Sequence, residues 1–596
     1  MTASRTTAYF AVLLVFSLLF FVSWQALHNT LGAYASLNPP KFAWDKITPS
    51  DNLVWVRCYA PENFHCARLK VPLDYHDTNP GPDQAFAAIA LLRVHSEVPH
   101  DSPAYRGPVL INPGGPGGSG VDAVRKAGES FSQIIGPEFD IIGFDPRGIA
   151  RSTPRASFFR TRADRVLFQS DGLRDTSLNA SAEALPRTWA RRTLMGKLAA
   201  QHDAAEDGFL QFINTEYTAR DMMRIVEAHG RDKLQYWGFS YGTLLGATFA
   251  AMFPKNVGRL IIDGVVDAES YYAFNSSASI IDTDKAWHTF AAGCVEAGPT
   301  GCPFYASTID EIFSAVDAIS LRLRQRPIPV RGTTSFGLVD YSMLRRVMFS
   351  SLYAPHAKFH SFAQALSDLR RGSGEALYAM YAAGRPPFDC ACDDSDGMNA
   401  FEEVEDGGWA VACNDAAPGR SPKGYDAFVR HYEEMRRASS FADIWGQLRS
   451  GCVAWPEYQR SQFRGPFNMN TSFPLLVVGN TADPVTPLSA AKNMARSFGN
   501  SALLVQDSTG VRHCSISAPS LCTARHIQAY FKDGKLPAEG TVCKPDFDVF
   551  PRTDIATMEG HSQAMLSILP ALSVEEKRMV DVLRKLSTDG LVSHVF

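Results

Sequence analysis

One serine of the chain stands in a pattern that can make a nucleophile. The run GFSYG at residues 238–242 follows the short apolar run Leu234–Trp237 and precedes a helical pattern at Leu244–Phe253. A sharp turn between a strand and a helix holds such a serine in a strained conformation, and the two glycines let the flanking chain approach closely. We therefore predict that the hydroxyl of Ser240 is exposed at the carboxyl edge of a sheet. An ordinary turn serine is the alternative.

A glycine-rich loop upstream can stabilise the negative charge that develops during acyl transfer. The run NPGGPGGSG at residues 112–120 follows the apolar run VLI at 109–111. Backbone N–H groups that converge on one point stabilise the oxyanion of a tetrahedral intermediate. We predict that the donors are the backbone amides of Gly115 and Tyr241. A phosphate-binding loop is the alternative, but the closing Gly-Lys-Ser/Thr of the Walker pattern is absent.

A nucleophilic serine needs a base, and the base needs an orienting acid. Both residue types follow the serine in turn segments just past apolar runs: Asp483 in the loop NTADPVTP and His513 in the loop GVRHC. Asp267 is a rival acid and His526 a rival base. His526, however, lies within the helical stretch Cys522–Phe531, which is a poor place for a mobile general base. The predicted catalytic residues are therefore the serine, Asp483 and His513.

The elements that must position these residues alternate between strand and helix patterns. Such alternation predicts βαβ units and a mostly parallel sheet flanked by helices, an α/β fold. The alternation stops near residue 268, where helical patterns and cysteines take over, and it resumes near 471. The predicted organisation is a signal anchor or signal peptide at 1–28, a linker at 29–55, the first part of the core at 56–267, an inserted helical cap at 268–470, the second part of the core at 471–550 and a C-terminal helical extension at 551–596. In that extension, Ser573 and Glu576 form a capping-box pattern.

The composition excludes several classes of protein. The 596 residues are 45% hydrophobic and 20% charged, with 58 basic and 62 acidic side chains. These values are typical of a globular protein and exclude a disordered or fibrous chain. No Lys/Arg-rich run is present, so nucleic acid is not a predicted partner. No cofactor and no metal are predicted either.

The N-terminal segment Tyr9–Leu27 carries no formal charge and is preceded by Arg5. Its length is close to the ~20 residues that span a bilayer. Arg5 before the segment, with no basic residue just after it, favours a cytoplasmic N-terminus. Trp24, Gln25 and Leu27 at its end are poor neighbours for signal cleavage, so we favour a signal anchor over a cleaved signal peptide. Both alternatives deliver the chain to an oxidising compartment, membrane-anchored or secreted.

Cysteines and sequons agree with that compartment. The close groups are Cys58/Cys66, Cys294/Cys302, Cys413/Cys452 and Cys514/Cys522/Cys543, with Cys390 and Cys392 in addition. Disulfides are favoured over zinc ligation because no Cys-x-x-Cys pair occurs. Eleven cysteines leave at least one unpaired within the chain. The predicted glycosylation sites are Asn179, Asn275 and Asn470.

The combined motifs resemble one family. GGPGGSG, FDPRG followed by Ser152, GFSYGT, NTADPVTP and the histidine loop are similar to the tripeptidyl-aminopeptidase-like branch of the proline-iminopeptidase family. The similarity runs from about Trp55 to Phe550, and residues 529–543 resemble secreted fungal members. It implies an α/β-hydrolase fold and a serine exopeptidase. Two positions depart from the family pattern: Pro113 stands where a histidine usually opens the glycine loop, and Ala150 stands where glycine is common.

The predicted function is a serine hydrolase that releases short peptides or amino acids from substrate N-termini through an acyl-enzyme on Ser240. The alternative is an esterase or lactonase acting on a small metabolite with the same three residues. A non-enzymatic binding protein is disfavoured because it has no need of the complete set. An exopeptidase must pair the substrate ammonium with an acid in the cap, and the candidates lie in 390–396, in 402–406 and at Asp415. The oligomeric state stays open.

Overall fold

The computed structural model describes residues 42–77, 81, 84–170, 176–205, 208–332, 336–383, 406–458, 462–507, 513–550 and 572–589. The predicted signal segment Tyr9–Leu27 lies outside these residues, as do Cys390 and Cys392. In the described part of the chain, no helix has both the length and the apolar character needed to cross a bilayer.

A ten-stranded sheet forms the centre of the described structure, with strand order β1-β2-β3-β5-β4-β6-β7-β10-β11-β12. Parallel pairing joins β5, β4, β6, β7, β10, β11 and β12 in that order. Antiparallel pairing joins β1 to β2, β2 to β3 and β3 to β5. The strands are β1 Val56–Cys58, β2 Phe64–Pro72, β3 Phe86–Val94, β4 Gly107–Asn112, β5 Phe139–Phe144, β6 Leu234–Phe239, β7 Val257–Asp263, β8 Ile328–Arg331, β9 Phe336–Val339, β10 Leu476–Asn480, β11 Ala502–Gln506 and β12 Val542–Cys543. The predicted α/β fold is confirmed.

Helices cover both faces of the sheet, so its central strands are largely apolar on both faces. Val109 and Ile111 of β4 lie in one apolar cluster together with Trp237, while Leu110 lies in the other together with Tyr236. The helices are α1 Gly120–Ile135, α2 Arg162–Gln169, α3 Ala184–Ala205, α4 Thr215–Ala228, α5 Tyr241–Met252, α6 Ala268–Tyr272, α7 Thr283–Gly301, α8 Ile309–Gln325, α9 Tyr341–Ser351, α10 Pro355–Arg371, α11 Glu375–Ala383, α12 Asp406–Asp415, α13 Tyr425–Ala438, α14 Ala442–Ser450, α15 Leu488–Ser497, α16 Leu521–Asp533 and α17 Val574–Asp589.

The segment between residues 268 and 470 is mainly helical and has an apolar cluster of its own. Aromatic rings such as Phe290, Phe359 and Phe362 form the centre of this cluster. One feature was not predicted: the strands β8 and β9 pair antiparallel within this otherwise helical segment. Their four-residue length and the intervening turn give a weak sequence signal beside the long helices.

The described parts of both flanking segments, residues 42–55 and 572–589, pack against the core. Within the predicted linker, Trp44 is buried and donates a hydrogen bond of 2.8 Å from Nε1 to the hydroxyl of Tyr59. At the other end, Ser573 and Glu576 make the predicted capping box, with backbone-to-side-chain hydrogen bonds of 2.8 and 3.2 Å. The helix that follows packs its apolar side into the cluster of Phe131.

The described chain contains four disulfides, which are Cys58–Cys66, Cys294–Cys302, Cys413–Cys452 and Cys522–Cys543. They agree with the cysteine groups predicted from spacing. Among the described cysteines, Cys514 alone is a free thiol, and it is buried. The three sequon asparagines are exposed, so their glycosylation stays a prediction.

Candidate active site

Ser240 lies at the turn between β6 and α5, and its backbone is strained. Its φ and ψ are +55° and −124°, a region that residues with a Cβ rarely adopt. The strain is held by hydrogen bonds: the Ser240 N–H donates to the carbonyl of Asp263 at 3.1 Å, and the Thr243 hydroxyl donates to the carbonyl of Ser240 at 2.6 Å. Ser240 thus follows the carboxyl end of β6 as predicted, but the residue is buried and not exposed, with 7% of its surface accessible.

The flanking glycines are required by close backbone contacts. A Cβ at Gly238 would clash with the carbonyl oxygen of Gly242. A Cβ at Gly242 would lie 2.8 Å from both the backbone and the side-chain oxygen of Asn112, the last residue of β4. The turn can therefore be this tight only with glycine at both positions.

Asp483 and His513 lie together at the carboxyl ends of the neighbouring strands. His513 Nδ1 lies 3.0 and 3.2 Å from the two carboxylate oxygens of Asp483, and both side chains are fully buried. The carboxylate also accepts backbone hydrogen bonds from Val485, Thr486 and Cys514 at 2.8–3.2 Å. These hydrogen bonds hold the carboxylate of Asp483 in place, and its contact with Nδ1 orients the imidazole of His513.

The histidine loop reaches the serine turn. The N–H of Ser515 donates to the carboxylate of Asp263 at 2.7 Å, and the carbonyl of Asp263 accepts from Ser240. Cys514, the residue after His513, carries a buried thiol. A Cβ on Gly264, next to Asp263, would clash with that thiol. His513 Nε2 is buried and makes no hydrogen bond to the Ser240 hydroxyl or to any other group of the described residues.

Sequence reasoning missed two residues that contact the imidazole. The Thr486 hydroxyl lies 3.2 Å from His513 Nδ1. Tyr353, between α9 and α10, packs its ring edge-on against His513 with centroids 4.8 Å apart. Thr486 could have been found, because a residue three positions after an aspartate often closes the turn that the aspartate begins. Tyr353 gave no signal, since its contact depends on how the helical segment packs.

The glycine-rich loop passes directly over the serine turn. A Cβ on Gly114 would lie 2.9 Å from the Cβ of Ser240 and 3.0 Å from the amide nitrogen of Tyr241. The N–H of Gly114 donates to the side-chain oxygen of Asn112 at 3.0 Å. The loop is therefore held against the nucleophile turn from the end of β4.

The FDPRG motif supports this loop. The carboxylate of Asp145 accepts from the hydroxyl of Ser119 at 2.5 Å and from the N–H of Val121 at 3.1 Å. Arg147 makes a buried, bidentate ion pair with Asp221 at 2.6 and 2.7 Å. The motif thus contributes structure around the site, and none of these contacts reaches the serine.

The rival acid and base have other contacts. Asp267 caps the first turn of α6 through the N–H of Ser270 at 2.8 Å and accepts from Asn493 at 3.0 Å. His526 lies on α16, one turn after the disulfide-bonded Cys522. Neither side chain contacts His513 or Ser240 among the hydrogen bonds of the described residues.

Two of the acids considered for ammonium binding are described. Asp406 is paired by both guanidinium nitrogens of Arg165 and accepts the N–H of Phe158 at 2.7 Å. Asp415 is buried and accepts from the N–H and hydroxyl of Thr215 at 2.9 and 2.6 Å and from the Tyr271 hydroxyl at 3.1 Å.

Asp415 is linked to the residue after the nucleophile. The Tyr241 hydroxyl lies 2.5 Å from Thr215 Oγ1, which in turn contacts Asp415. Burial raises the pKa of Asp415 to about 6. Of the predicted acids, residues 390–396 and 402–405 lie outside the described part of the chain.

The fold and the strand-end geometry define an α/β hydrolase, and comparison with known proteins agrees. Residues 107–296 match the family description "alpha/beta hydrolase fold", and residues 438–543 match "TAP-like protein". The first match contains the glycine loop and Ser240, and the second contains Asp483 and His513.

Curated relatives extend over most of the chain. Serine protease Hip1 of Mycobacterium tuberculosis is 28% identical over 535 residues, covering 86% of this chain and 94% of that protein. Carboxylesterase B of the same species is 30% identical over 492 residues, covering 80% and 86%. Tripeptidyl aminopeptidase of Streptomyces lividans is 25% identical over 519 residues, covering 82% and 86%. The chain belongs to the α/β-hydrolase family with a TAP-like region, and it is a serine hydrolase. The relatives shown are bacterial, so the fungal likeness is not supported.

Proposed function

We propose that the protein is a serine exopeptidase that releases short peptides or amino acids from substrate N-termini. The observation that carries the proposal is the buried hydrogen bond of 3.0 Å between His513 and Asp483, together with the strained backbone of Ser240. In this proposal Ser240 is the nucleophile, His513 the general base and Asp483 the acid that orients it.

The proposed reaction proceeds in two halves. Ser240 Oγ attacks the scissile carbonyl carbon while its proton passes to His513 Nε2, and the carbonyl becomes a tetrahedral oxyanion. When the intermediate collapses, the C–N bond breaks and the leaving amine takes the proton from His513. Water then attacks the acyl-enzyme with His513 again as base, which releases the acid product and restores the Ser240 hydroxyl.

The proposed oxyanion donors are the backbone amides of Gly115 and Tyr241. Two observations support these donors. The glycine loop packs on the serine turn at Gly114. Tyr241 is the first residue of α5, and the first N–H groups of a helix have no intrahelical acceptor. Such donors contribute about 3–4 kcal/mol each to transition-state stabilisation.

Peptide substrates are favoured by relatives named as a serine protease and a tripeptidyl aminopeptidase. A helical segment packed against the glycine loop also favours short substrates over folded proteins. A Cβ on Gly117 of that loop would lie only 2.9 Å from the Cα of Gly408 in α12. Access to Ser240 is therefore narrowed on this side.

For the substrate ammonium we propose Asp415 as partner among the described acids. Asp406 is already neutralised by Arg165, whereas Asp415 has no described cation within ion-pair distance and is connected to Tyr241. A carboxylate offers about four acceptor positions, and the described donors to Asp415 occupy three of them.

An esterase is the second candidate. The relative named carboxylesterase B is 30% identical to this chain, and the same three residues would cleave an ester as readily as an amide. The residues of the core alone therefore do not distinguish an esterase from a peptidase.

We also propose that the enzyme works outside the cytoplasm, secreted or tethered by its N-terminal segment. The four disulfides and the exposed sequons at Asn179, Asn275 and Asn470 support an oxidising compartment.

The test is a matched pair of substrates: tripeptidyl and aminoacyl amides with a free or an acetylated α-amine, alongside short-chain esters. We expect acetylation to lower kcat/KM at least tenfold, about 1.4 kcal/mol at the transition state. Equal rates on both amides, or activity confined to esters, would favour the esterase instead.

A further inference from the structure

A basic cleft lies at the edge of the sheet opposite Ser240. It has a volume of about 490 Å³ and is formed where β4, β5, β6 and β7 begin. Lys233 and Gln235 line it at the start of β6, whereas Ser240 follows the end of the same strand. Six strand residues at about 3.3 Å each place the two sites roughly 17–20 Å apart. The cleft is therefore separate from the active site.

The lining of the cleft is strongly cationic. Its described lining residues include four cations, Arg106, Arg231, Lys233 and Arg259, and one carboxylate, that of Asp232. The lining therefore carries three net positive charges within a volume typical of small-ligand pockets. Such a concentration of like charge repels itself unless an anion occupies the cleft.

Two of these guanidinium groups make no ion pair with an acid of the described residues. Arg231 lies over the ring of Tyr105 at 5.3 Å, and Arg259 lies over the ring of Phe473 at 4.2 Å. Neither makes an ion pair with a carboxylate in the described ranges of the chain, and the Nε of Arg259 is buried without a hydrogen-bond partner there. Burial is the main reason that the pKa of Arg259 lies below its usual value, and the charge of Arg106 acts in the same direction while Tyr530 and Asp533 raise it.

The other two cations are only weakly neutralised. Arg106 lies 3.8 Å from Glu138, and that carboxylate is shared with Lys532 at the same distance. Lys233 donates to the carbonyl of Lys255 at 3.1 Å and to the hydroxyl of Ser472 at 2.9 Å, both of them neutral acceptors. Glu138 therefore offsets about one charge of the cleft.

Two glycines lie close to the guanidinium groups of Arg231 and Arg259. Gly107, at the start of β4, has φ +92°, and a Cβ there would lie 3.4 Å from the Cζ of Arg231. Gly534, at the end of α16, has φ +68°, and a Cβ there would lie 2.6 Å from an Nη of Arg259. The absence of a Cβ at Gly534 leaves room for the guanidinium group of Arg259, whereas a Cβ at Gly107 would only be in van der Waals contact with Arg231.

We propose that this cleft binds an oligo-phosphate group, with Arg231 and Arg259 as its principal ligands. Guanidinium groups bind phosphate oxygens through two parallel hydrogen bonds, and adjacent phosphates supply the several negative charges that the lining balances. The same chemistry is offered by a free oligo-phosphate and by a lipid headgroup that carries several phosphates. Since the cleft faces away from Ser240, occupation leaves the active site open to substrate.

The experiment measures binding of inorganic tripolyphosphate by calorimetry at low salt, and co-flotation with phosphatidylcholine vesicles that contain a bisphosphorylated phosphatidylinositol. The variant is Arg231→Gln/Arg259→Gln, with Arg231→Gln alone as a second variant because Arg231 is exposed and its loss spares the packing of Phe473. Arg326→Gln, an exposed arginine of the helical segment, is the matched control. Retained fluorophosphonate labelling reports that each variant is folded.

We expect the full chain to bind tripolyphosphate, the double variant to lose at least tenfold in affinity and Arg326→Gln to bind as the parent does. Added salt should weaken binding through screening of the exposed charges. Binding of the soluble probe alone identifies a free oligo-phosphate, and flotation alone identifies the lipid headgroup. Binding to neither probe, or equal binding by the double variant and its parent, would overturn the proposal.

Discussion

Two buried carboxylates near the active site are held in different ways. Asp483 in the core accepts hydrogen bonds from Val485 and Thr486 of its own turn and from the histidine loop. Asp415 in the helical segment accepts from Thr215, two hundred positions earlier in the chain. The first acid is organised by a local turn, and the second depends on how the helical segment docks on the core. We infer that the chemistry belongs to the core and the selectivity to the docked segment.

The largest expected effect comes from the nucleophile. Ser240→Ala should abolish labelling by a fluorophosphonate and reduce kcat by several orders of magnitude, since it removes the attacking oxygen. Ser307→Ala, an exposed serine of the helical segment, should label as the parent does. Labelling of Ser240→Ala would assign the nucleophile to another residue and place the chemistry elsewhere.

Nearly as large is the expected effect of the local acid. Asp483→Asn should reduce kcat on the order of 10⁴-fold because an amide favours the wrong imidazole tautomer. Asp267→Asn is the matched control, since Asp267 caps α6, and we expect a change of less than about threefold. If Asp267→Asn proved the more damaging change, the rival acid would replace Asp483.

These core residues could be predicted because their roles depend on short-range chain geometry. The turn at Ser240 requires glycine on both sides, and Asp483 follows a strand of the sheet, so spacing alone predicts where both side chains lie. Tyr353 and the pairing of Asp415 with Thr215 could not be predicted, because each contact joins segments far apart in the chain. Sequence patterns describe single elements, whereas such contacts are set when elements pack.

The pH dependence of stability can sharpen the contrast between the two acids. Burial raises the pKa of Asp415 to about 6, so the folded state favours the protonated carboxyl more than the unfolded state does. Its contribution is fully present below the unfolded pKa near 3.9 and is lost as the pH rises through about 6.

Asp415→Asn should abolish this loss of stability with rising pH, because an amide side chain does not ionise. Between pH 4 and pH 7 the free energy of unfolding of Asp415→Asn should rise relative to the parent by up to about 3 kcal/mol, since each pKa unit corresponds to about 1.36 kcal/mol. Urea unfolding at several pH values measures the difference, and the exposed Asp317→Asn serves as the control. A difference that does not change with pH would mean that Asp415 is ionised at little cost.

The junction between core and helical segment should affect turnover more modestly. Gly408 lies in the first turn of α12 against the glycine loop, and a Cβ there would clash with the carbonyl of Pro116. Gly408→Ala should lower kcat about thirtyfold, roughly 2 kcal/mol, by displacing the loop that carries Gly115. Gly81→Ala is the control, because a Cβ at Gly81 meets no atom within 4 Å. Unchanged kcat in Gly408→Ala would mean that the loop does not depend on the docked segment.

The smallest expected effect tests the assignment of selectivity to the docked segment. Asp415→Asn should lower kcat/KM for amides with a free α-amine about tenfold and leave acetylated amides unchanged, because a neutral amide cannot pair with an ammonium group. The acetylated substrate is thus the internal control for any disturbance of Tyr241 through Thr215, which would slow both substrates equally. Below pH 6 the parent should approach the selectivity of Asp415→Asn, as the carboxyl with its pKa of about 6 takes up a proton. Equal losses on both substrates would show that Asp415 supports the oxyanion region and that the ammonium partner is another acid.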